Sequence, residues 1–134
     1  AGVGVCKPTD IAISLLVTVI GHQLEKGWVI TDGGWMALSR DRGTANQKVD
    51  QGYGIVCDIN GNILDGLWVS GANQEHGIIS ARSGLNFDPK KFPIGTRLRI
   101  LPNHACPTGA QHPCYYVVDG DIEVKDKWDR FYGW

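Results

Sequence analysis

The stretch "DIAISLLVTVIGHQ", residues 10–23, decides the fold class because its apolar side chains recur at every second position. Those positions are Ile11, Ile13, Leu15, Val17 and Val19. This is the period of a β-strand rather than of a helix. β-Branched residues, which favour strands, fill six of the ten places from 11 to 20. We therefore predict a strand, and a short amphipathic helix is the alternative.

The rest of the chain repeats this pattern in short segments bounded by turn signals. A second strand is expected in "GWVITDGGWMALS" (27–39), broken by Gly33-Gly34, and "GLWVSGANQEHGIISAR" (66–82) predicts two strands around a polar loop. Asn60-Gly61 and Asp119-Gly120 predict hairpins. Seven to nine short strands indicate a mainly β domain, a barrel or sandwich with few short helices. Residues 39–52 and 83–93 lack any period, and we expect them to be irregular.

Composition limits the possible partners. The chain has 134 residues, is 43% hydrophobic and carries a formal net charge of −1, which predicts one domain over residues 1–134. Its 13 basic and 14 acidic residues form no long runs, so neither nucleic acid nor an anionic membrane is an expected partner. The longest apolar run is ten residues, whereas a membrane span needs about 20. We expect a cytoplasmic protein whose thiols stay reduced.

The two ends of the chain differ in character. "AGVGVC" at the start has no initiator methionine, so we expect a fragment of a longer protein. Four aromatic residues crowd the end, and burial of so much aromatic area predicts a docked C-terminus. They are Trp128, Phe131, Tyr132 and Trp134.

The chemistry concentrates in "LPNHACPTGAQHPC", residues 101–114, which holds two of the four cysteines and two of the four histidines. On an extended backbone, residues two positions apart project to the same side, so His104 and Cys106 can aim at one ion. Imidazole and thiolate are both good zinc ligands. Two ligands alone leave coordination positions free for water or substrate, as a catalytic metal requires.

Other interpretations of this cluster remain open. Cys106 can be a small buried hydrophobe, or it can form a disulfide with Cys114 that a reducing compartment disfavours. His112 and Cys114 can also join the first pair in one closed Cys₂His₂ site, which would make the zinc structural. We otherwise read His112, like His22, as structural.

Several polar residues outside the cluster are weaker candidates. Glu75 and His76, in a loop bounded by glycine, predict a general base with its orienting carboxylate or a partner of the metal ligands, with a loop-stabilising ion pair as the alternative. Ser39, Asp41 and Arg42 can line an active-site mouth or a subunit interface, but we favour an exposed, salt-bridged loop. Asp32 is expected to form a turn and accept backbone hydrogen bonds.

Three motifs carry a family resemblance. They are "GWMALSRDRGTA" (34–45), "QEHG" (74–77) and "LPNHACPT" (101–108). In this order and spacing they resemble the C-terminal domain of the D-serine dehydratase and D-threonine aldolase-like family, which consists of fold-type III, alanine racemase-like pyridoxal-phosphate enzymes. The resemblance covers nearly the whole chain and includes the aromatic end.

The resemblance implies that the cofactor and the metal are bound mainly by different domains of a longer enzyme. An N-terminal (β/α)₈ barrel, absent from this chain, would bind most of the pyridoxal phosphate and carry its lysine. His104 and Cys106 would hold a divalent metal, Zn²⁺ or Mn²⁺, that acts as a Lewis acid on the substrate. The whole enzyme would be a homodimeric lyase acting on D-β-hydroxy-α-amino acids, by dehydration of D-serine or retro-aldol cleavage of D-threonine. The fragment alone would be inactive.

Two other classes of function compete with the lyase. A stand-alone structural zinc-binding or dimerisation module would need the closed four-ligand site or a self-association surface. A barrel that binds sugar or peptide through its tryptophans is the least favoured. The coordination around His104 and Cys106 distinguishes the enzyme from the structural module.

Overall fold

The chain folds into a β-barrel with a small additional sheet. The computed structural model describes residue 1, residues 3–120 and residues 122–131. Within them the strands are β1 (Leu15–Gln23), β2 (Trp28–Thr31), β3 (Gly54–Cys57), β4 (Ile63–Ala72), β5 (Gly77–Ala81), β6 (Arg97–Pro102), β7 (Cys114–Val118) and β8 (Val124–Asp129). One helix, α1 (Ala105–Ala110), follows β6. Short 3₁₀ turns lie at Pro8–Asp10, Leu24–Lys26 and Pro89–Lys91.

Six strands close the barrel in the order β1, β2, β5, β4, β3 and β6, and β7 pairs with β8 in a separate two-stranded sheet. Every neighbouring pair in the barrel is antiparallel. Closure leaves no free strand edge in the barrel, so each strand satisfies its backbone groups on both sides. The predicted mainly β fold is therefore confirmed as a closed barrel.

The core is the interior of the barrel, filled by the inward positions of the alternating strands. Val17 and Val19 of β1 are 1% and 0% exposed, and Ile79 of β5 is 1% exposed. The period-two pattern of β1 therefore points one set of its side chains inward. The other buried members of the core are Val29, Leu38, Val56, Leu67, Val69, Leu98 and Ile100.

The hairpin predicted at Asn60-Gly61 connects β3 and β4. Gly61 has φ of +89°, a left-handed conformation that glycine adopts without a steric penalty. The Asp58 carboxylate accepts hydrogen bonds from the backbone N–H groups of Asn60 and Asn62, each at 2.9 Å. These bonds, with one from the Asn62 side chain, lower the pKa of Asp58.

Strand direction brings three loops to one end of the barrel. Because neighbours are antiparallel, β2, β4 and β6 all finish at the end where β3 and β5 begin. Residues 32–53, 73–76 and 103–113 therefore lie together, and we call this end the loop end. It carries all the residues that the sequence nominated as metal ligands or as a general base.

Some sequence expectations need correction. The strand expected from residue 11 begins only at Leu15 and extends to Gln23, and the strand expected through Ser39 ends at Thr31. The docked aromatic end is wrong where it can be tested, since Trp128 is 59% and Phe131 97% exposed. Tyr132 and Trp134 lie outside the described residues. A membrane-spanning helix is absent from the described part of the chain.

Candidate metal centre

His104 and Cys106 lie where β6 gives way to helix α1. His104 is the N-cap residue, with φ −133° and ψ 105°, and Cys106 is the second residue of the helix. The expected extended backbone is therefore wrong beyond His104. Pro107 explains the difference, because a proline in the first helical turn lacks only an N–H that would have no partner there. The Thr108 hydroxyl also donates to the His104 carbonyl at 2.9 Å and supports the turn.

Both candidate ligands are accessible, and the thiol is free. Cys106 is exposed and belongs to no disulfide, so the alternative Cys106–Cys114 bridge is wrong. The His104 side chain is 49% exposed. A metal at these two side chains would keep open positions for other ligands.

The orientation of the His104 ring is fixed by a carboxylate from a distant loop. His104 Nδ1 donates a hydrogen bond of 2.7 Å to Oδ2 of Asp41. An ionised carboxylate only accepts, so a neutral ring carries its proton on Nδ1 and leaves the lone pair of Nε2 available to a ligand. The exposed, salt-bridged loop that we favoured is confirmed, since Asp41 and Arg42 are exposed and Arg42 pairs with Asp50. Asp41 is in addition a hydrogen-bond partner of the candidate metal ligand.

Asn103, which the sequence did not single out, ties the loop that carries Asp41 to the segment between β6 and α1 that carries His104. Its side-chain amide donates to the Thr44 hydroxyl at 2.8 Å and to the Gly52 carbonyl. Its backbone N–H donates to the Tyr53 carbonyl at 3.2 Å. The only available signal was its place directly before His104 in "PNHAC".

Asp50 is the second anchor of this loop. Its carboxylate accepts from the Thr44 hydroxyl at 3.0 Å and from the Gly52 N–H at 2.8 Å, and it pairs with the Arg42 guanidinium. Partial burial acts to raise the pKa of Asp50, but these hydrogen bonds outweigh it and the pKa is lowered. Arg82 completes the anchor by donating to the Asp50 carbonyl at 2.9 Å.

Glu75 and His76 also lie at the loop end, in the turn between β4 and β5. Both are exposed, and neither forms an ion pair or side-chain hydrogen bond with another described residue. The loop-stabilising ion pair is therefore wrong. Gly34 packs directly against the backbone of this turn, so the segment leading to Asp41 is in close contact with the turn. The role of Glu75 and His76 as a general base with its orienting carboxylate stays a prediction.

The second His-x-Cys pair, His112 and Cys114, takes no part in a closed site. His112 Nε2 donates to the Ala37 carbonyl at 2.9 Å, which ties the ring to the backbone of the loop that follows β2. Among the described residues there is no group of three or more His, Cys, Asp or Glu side chains able to hold a metal ion. The closed Cys₂His₂ alternative is wrong, and the structural reading of His112 is confirmed.

The two remaining polar residues behave as expected. His22 Nε2 donates to the Phe92 carbonyl at 2.8 Å. Asp32 accepts from the Thr18 backbone N–H at 2.7 Å. Neither hydrogen bond involves a residue of the 101–114 cluster.

Comparison with known proteins identifies the family. Residues 12–118 match the model of the family described as "Putative serine dehydratase domain". The chain belongs to this family. The resemblance read from the three motifs is thereby confirmed.

Members of the family with higher similarity include dehydratases. The chain is 56% identical over 134 residues to D-threo-3-hydroxyaspartate dehydratase from Delftia sp. (strain HT23), covering 98% of this chain and 35% of that enzyme. The solved structure of that enzyme superimposes with a TM-score of 0.92, covering 99% of this chain. D-serine dehydratase from Dictyostelium discoideum is 33% identical, over 90% of this chain and 30% of that enzyme.

A third relative connects the family to the alanine racemase type. An alanine racemase-like protein from Idiomarina loihiensis is 52% identical, with a TM-score of 0.88, over 98% of this chain and 35% of that protein. The chain thus spans about a third of the length of these relatives. The family therefore includes lyases that act on D-amino acids.

Proposed function

We propose that this chain is the metal-binding domain of a pyridoxal-phosphate-dependent lyase that dehydrates a D-β-hydroxy-α-amino acid. One observation carries the proposal. His104 has its Nδ1 engaged by Asp41, which leaves Nε2 free, and Cys106 two residues later carries an exposed, free thiol. This nitrogen and sulfur pair suits Zn²⁺, whereas a harder metal such as Mn²⁺ fits the thiolate less well.

Variants of the Delftia enzyme support the choice of residues. Structures of a histidine-to-alanine mutant and of a cysteine-to-alanine mutant in the metal-free form have both been solved. The two substituted residues are two positions apart in that enzyme, a spacing shared by His104 and Cys106. His112 and Cys114 have the same spacing, but the Cys114 thiol is only partly exposed whereas Cys106 is exposed, which makes them the poorer pair.

The residues of this chain would have separate tasks. A divalent metal supplies Lewis-acid polarisation of the substrate hydroxyl, which makes hydroxide a better leaving group. His104 and Cys106 would hold that ion, and the two-ligand site leaves room for substrate. Glu75 and His76 would stand at the rim of the loop end, within reach of a proton on the substrate or its water.

Dehydration is the proposed reaction because the Delftia and Dictyostelium relatives are both dehydratases. Retro-aldol cleavage uses the same metal contact with the hydroxyl, so it is the second outcome to assay. We propose that pyridoxal phosphate is bound mainly by an N-terminal barrel of the full-length protein. That protein is proposed to be a cytoplasmic homodimer, and the four free cysteines support a reducing compartment.

The test is the metal content and lyase activity of the full-length protein. His104→Ala and Cys106→Ala should each lose zinc and the release of keto acid from D-serine or D-threo-3-hydroxyaspartate. The matched variants His112→Ala and Cys114→Ala remove the same two side-chain types at the same spacing and should keep both. Equal zinc content in Cys106→Ala and the wild type would refute the site, and activity that survives complete zinc removal would refute the mechanism.

The alternative function is a non-catalytic module. A structural zinc-binding module is not supported, because the described residues do not assemble a four-ligand site. Self-association remains as its other form. Tyr116 and Trp128, on the β7 and β8 sheet, are 67% and 59% exposed. A full-length protein that dimerises through this sheet and has no lyase activity with any D-β-hydroxy-α-amino acid would support the module instead.

A further inference from the structure

We infer that Asp41 is a positioning residue that holds His104 in the tautomer and orientation needed to bind a metal through Nε2. The inference rests on the proposed metal site and extends it to a residue of another loop. Asp41 is 63 positions from His104 along the chain, yet its Oδ2 lies 2.7 Å from Nδ1 of the ring.

The physical reason is that a neutral imidazole has two tautomers. Its single proton can sit on either nitrogen, and only the nitrogen without the proton can bind a metal. An ionised carboxylate at Nδ1 favours the proton there and leaves the lone pair on Nε2. The His104 side chain is 49% exposed, so packing alone would leave the ring free to rotate and exchange tautomers.

Asp41 can do this only if its own loop is held in place, and Asn103 provides the link. The Asn103 amide bonds the Thr44 hydroxyl at 2.8 Å, three residues from Asp41, while its backbone leads directly into His104. The Thr44 hydroxyl also accepts from the Gln51 N–H at 2.9 Å, and Asp50 fixes Thr44 from the other side. The Ser39 hydroxyl adds a bond of 3.1 Å from the Asp41 N–H.

Alternative roles for Asp41 are less well supported. Arg42 pairs with Asp50 rather than with Asp41, so the Asp41 carboxylate does not form an ion pair with Arg42. Its side chain is 53% exposed, which excludes a role as a buried structural acid. Among the described residues, the recorded side-chain partner of its carboxylate is His104.

The experiment measures the zinc dissociation constant of the full-length protein by competition with a chromophoric chelator. Asp41→Ala should weaken zinc binding by about 10- to 100-fold, the usual effect of removing such a partner. Asp41→Asn keeps an acceptor for Nδ1 without the charge and should recover part of that loss. Asp65→Ala, an exposed acid on β4 towards the other end of the barrel, is the control and should bind zinc as the wild type does.

A double-mutant cycle tests the link through Asn103. Asn103→Ala should weaken zinc binding in the wild-type background and change nothing further when Asp41 is already alanine, because the two would act through one contact. Additive effects would overturn that link. Thermal unfolding of each apoprotein, recorded in parallel, separates a loss of zinc affinity from a loss of folded protein.

The outcomes separate the inference from the proposed function. If Cys106→Ala abolishes zinc binding while Asp41→Ala binds zinc with the wild-type constant, the metal site stands and the positioning role of Asp41 is overturned. If Cys106→Ala and the wild type bind zinc equally, the proposed site itself fails. Loss of affinity in Asp41→Ala with partial recovery in Asp41→Asn supports both.

Discussion

A methyl group at Gly34 should open the loop end of the barrel. A Cβ built on Gly34 would lie 2.4 Å from the Asn73 carbonyl oxygen, 2.5 Å from the His76 nitrogen and 2.6 Å from the Gln74 carbonyl oxygen. All three are backbone atoms, and real Cβ atoms essentially never come within 3.0 Å of such neighbours. In Gly34→Ala, the turn at 73–76 must therefore move away by more than half an ångström.

The cost can be worked out from the contacts that the movement breaks. The Trp35 N–H donates to the Asn73 carbonyl at 2.9 Å, and the Met36 N–H donates to the Gln74 carbonyl at 3.1 Å. Each such bond contributes about 1 kcal/mol. Overpacking in a tight site adds about 1–3 kcal/mol. We expect the segment to lose about 3–5 kcal/mol of local stability.

Amide hydrogen exchange measures this local stability directly. A loss of about 3 kcal/mol should accelerate exchange at Trp35 and Met36 by roughly a hundredfold. Gly21→Ala is the matched control, since its Cβ would meet nothing within 4 Å. Exchange in Gly34→Ala that stays within a factor of three of the wild type would refute the close packing of these two segments.

Three further predictions concern the barrel and its loops. Ile79→Ala should lower the free energy of unfolding by about 2–5 kcal/mol in denaturant titrations, while Ile94→Ala, at a side chain 68% exposed, should change it by less than about 0.5 kcal/mol. Because burial raises the pKa of the Cys57 thiol, iodoacetamide at pH 8 should label exposed Cys6 and spare Cys57 until the protein unfolds, as read by peptide mass spectrometry. The pKa of Asp50 is lowered below its usual 3.8, so its stabilising contribution is complete above that pH and is lost as the pH falls through the lower folded-state value. Asp50→Asn should remove this acid sensitivity from amide exchange in residues 40–52.

The strands were predictable because they depend on local patterns. Alternation of apolar residues identified β1, and Asn60-Gly61 identified the turn from β3 to β4. The irregular character expected for residues 39–52 also holds, since the structure has no helix or strand there. The expected start of β1 was four residues early, because the apolar pattern continues through Ile11 and Ile13 although pairing with β6 begins only at Leu15.

Helix α1 could not have been found from periodicity. Its six residues, "ACPTGA", contain both proline and glycine and are too few to display a helical period. Its N-cap is His104 rather than one of the residues that usually cap helices. The expectation of an extended His104 and Cys106 failed for this reason, although both side chains remain accessible.

The pairing of Asp41 with His104 was beyond sequence reasoning for a different reason. Closure of the barrel sets which loops meet, and that depends on the pairing of six strands rather than on any local signal. "ALSRDRG" has two cations beside Asp41, and the sequence predicted an exposed, salt-bridged loop without indicating a partner for Asp41 outside it. In the structure Arg42 pairs with Asp50, and the Asp41 carboxylate accepts a hydrogen bond from His104.

The loop that presents Asp41 is held by polar contacts rather than by an apolar core, and this has a consequence for the site. Asp50 must be ionised to form its ion pair with Arg42, and ionisation strengthens the hydrogen bonds that it accepts, whereas the barrel interior is filled by apolar side chains. Acid should therefore loosen residues 40–52, and with them the support of His104 by Asp41, before it unfolds the barrel. A metal site built on such a loop gains an accessible, oriented imidazole, which an apolar core could orient only by burying it.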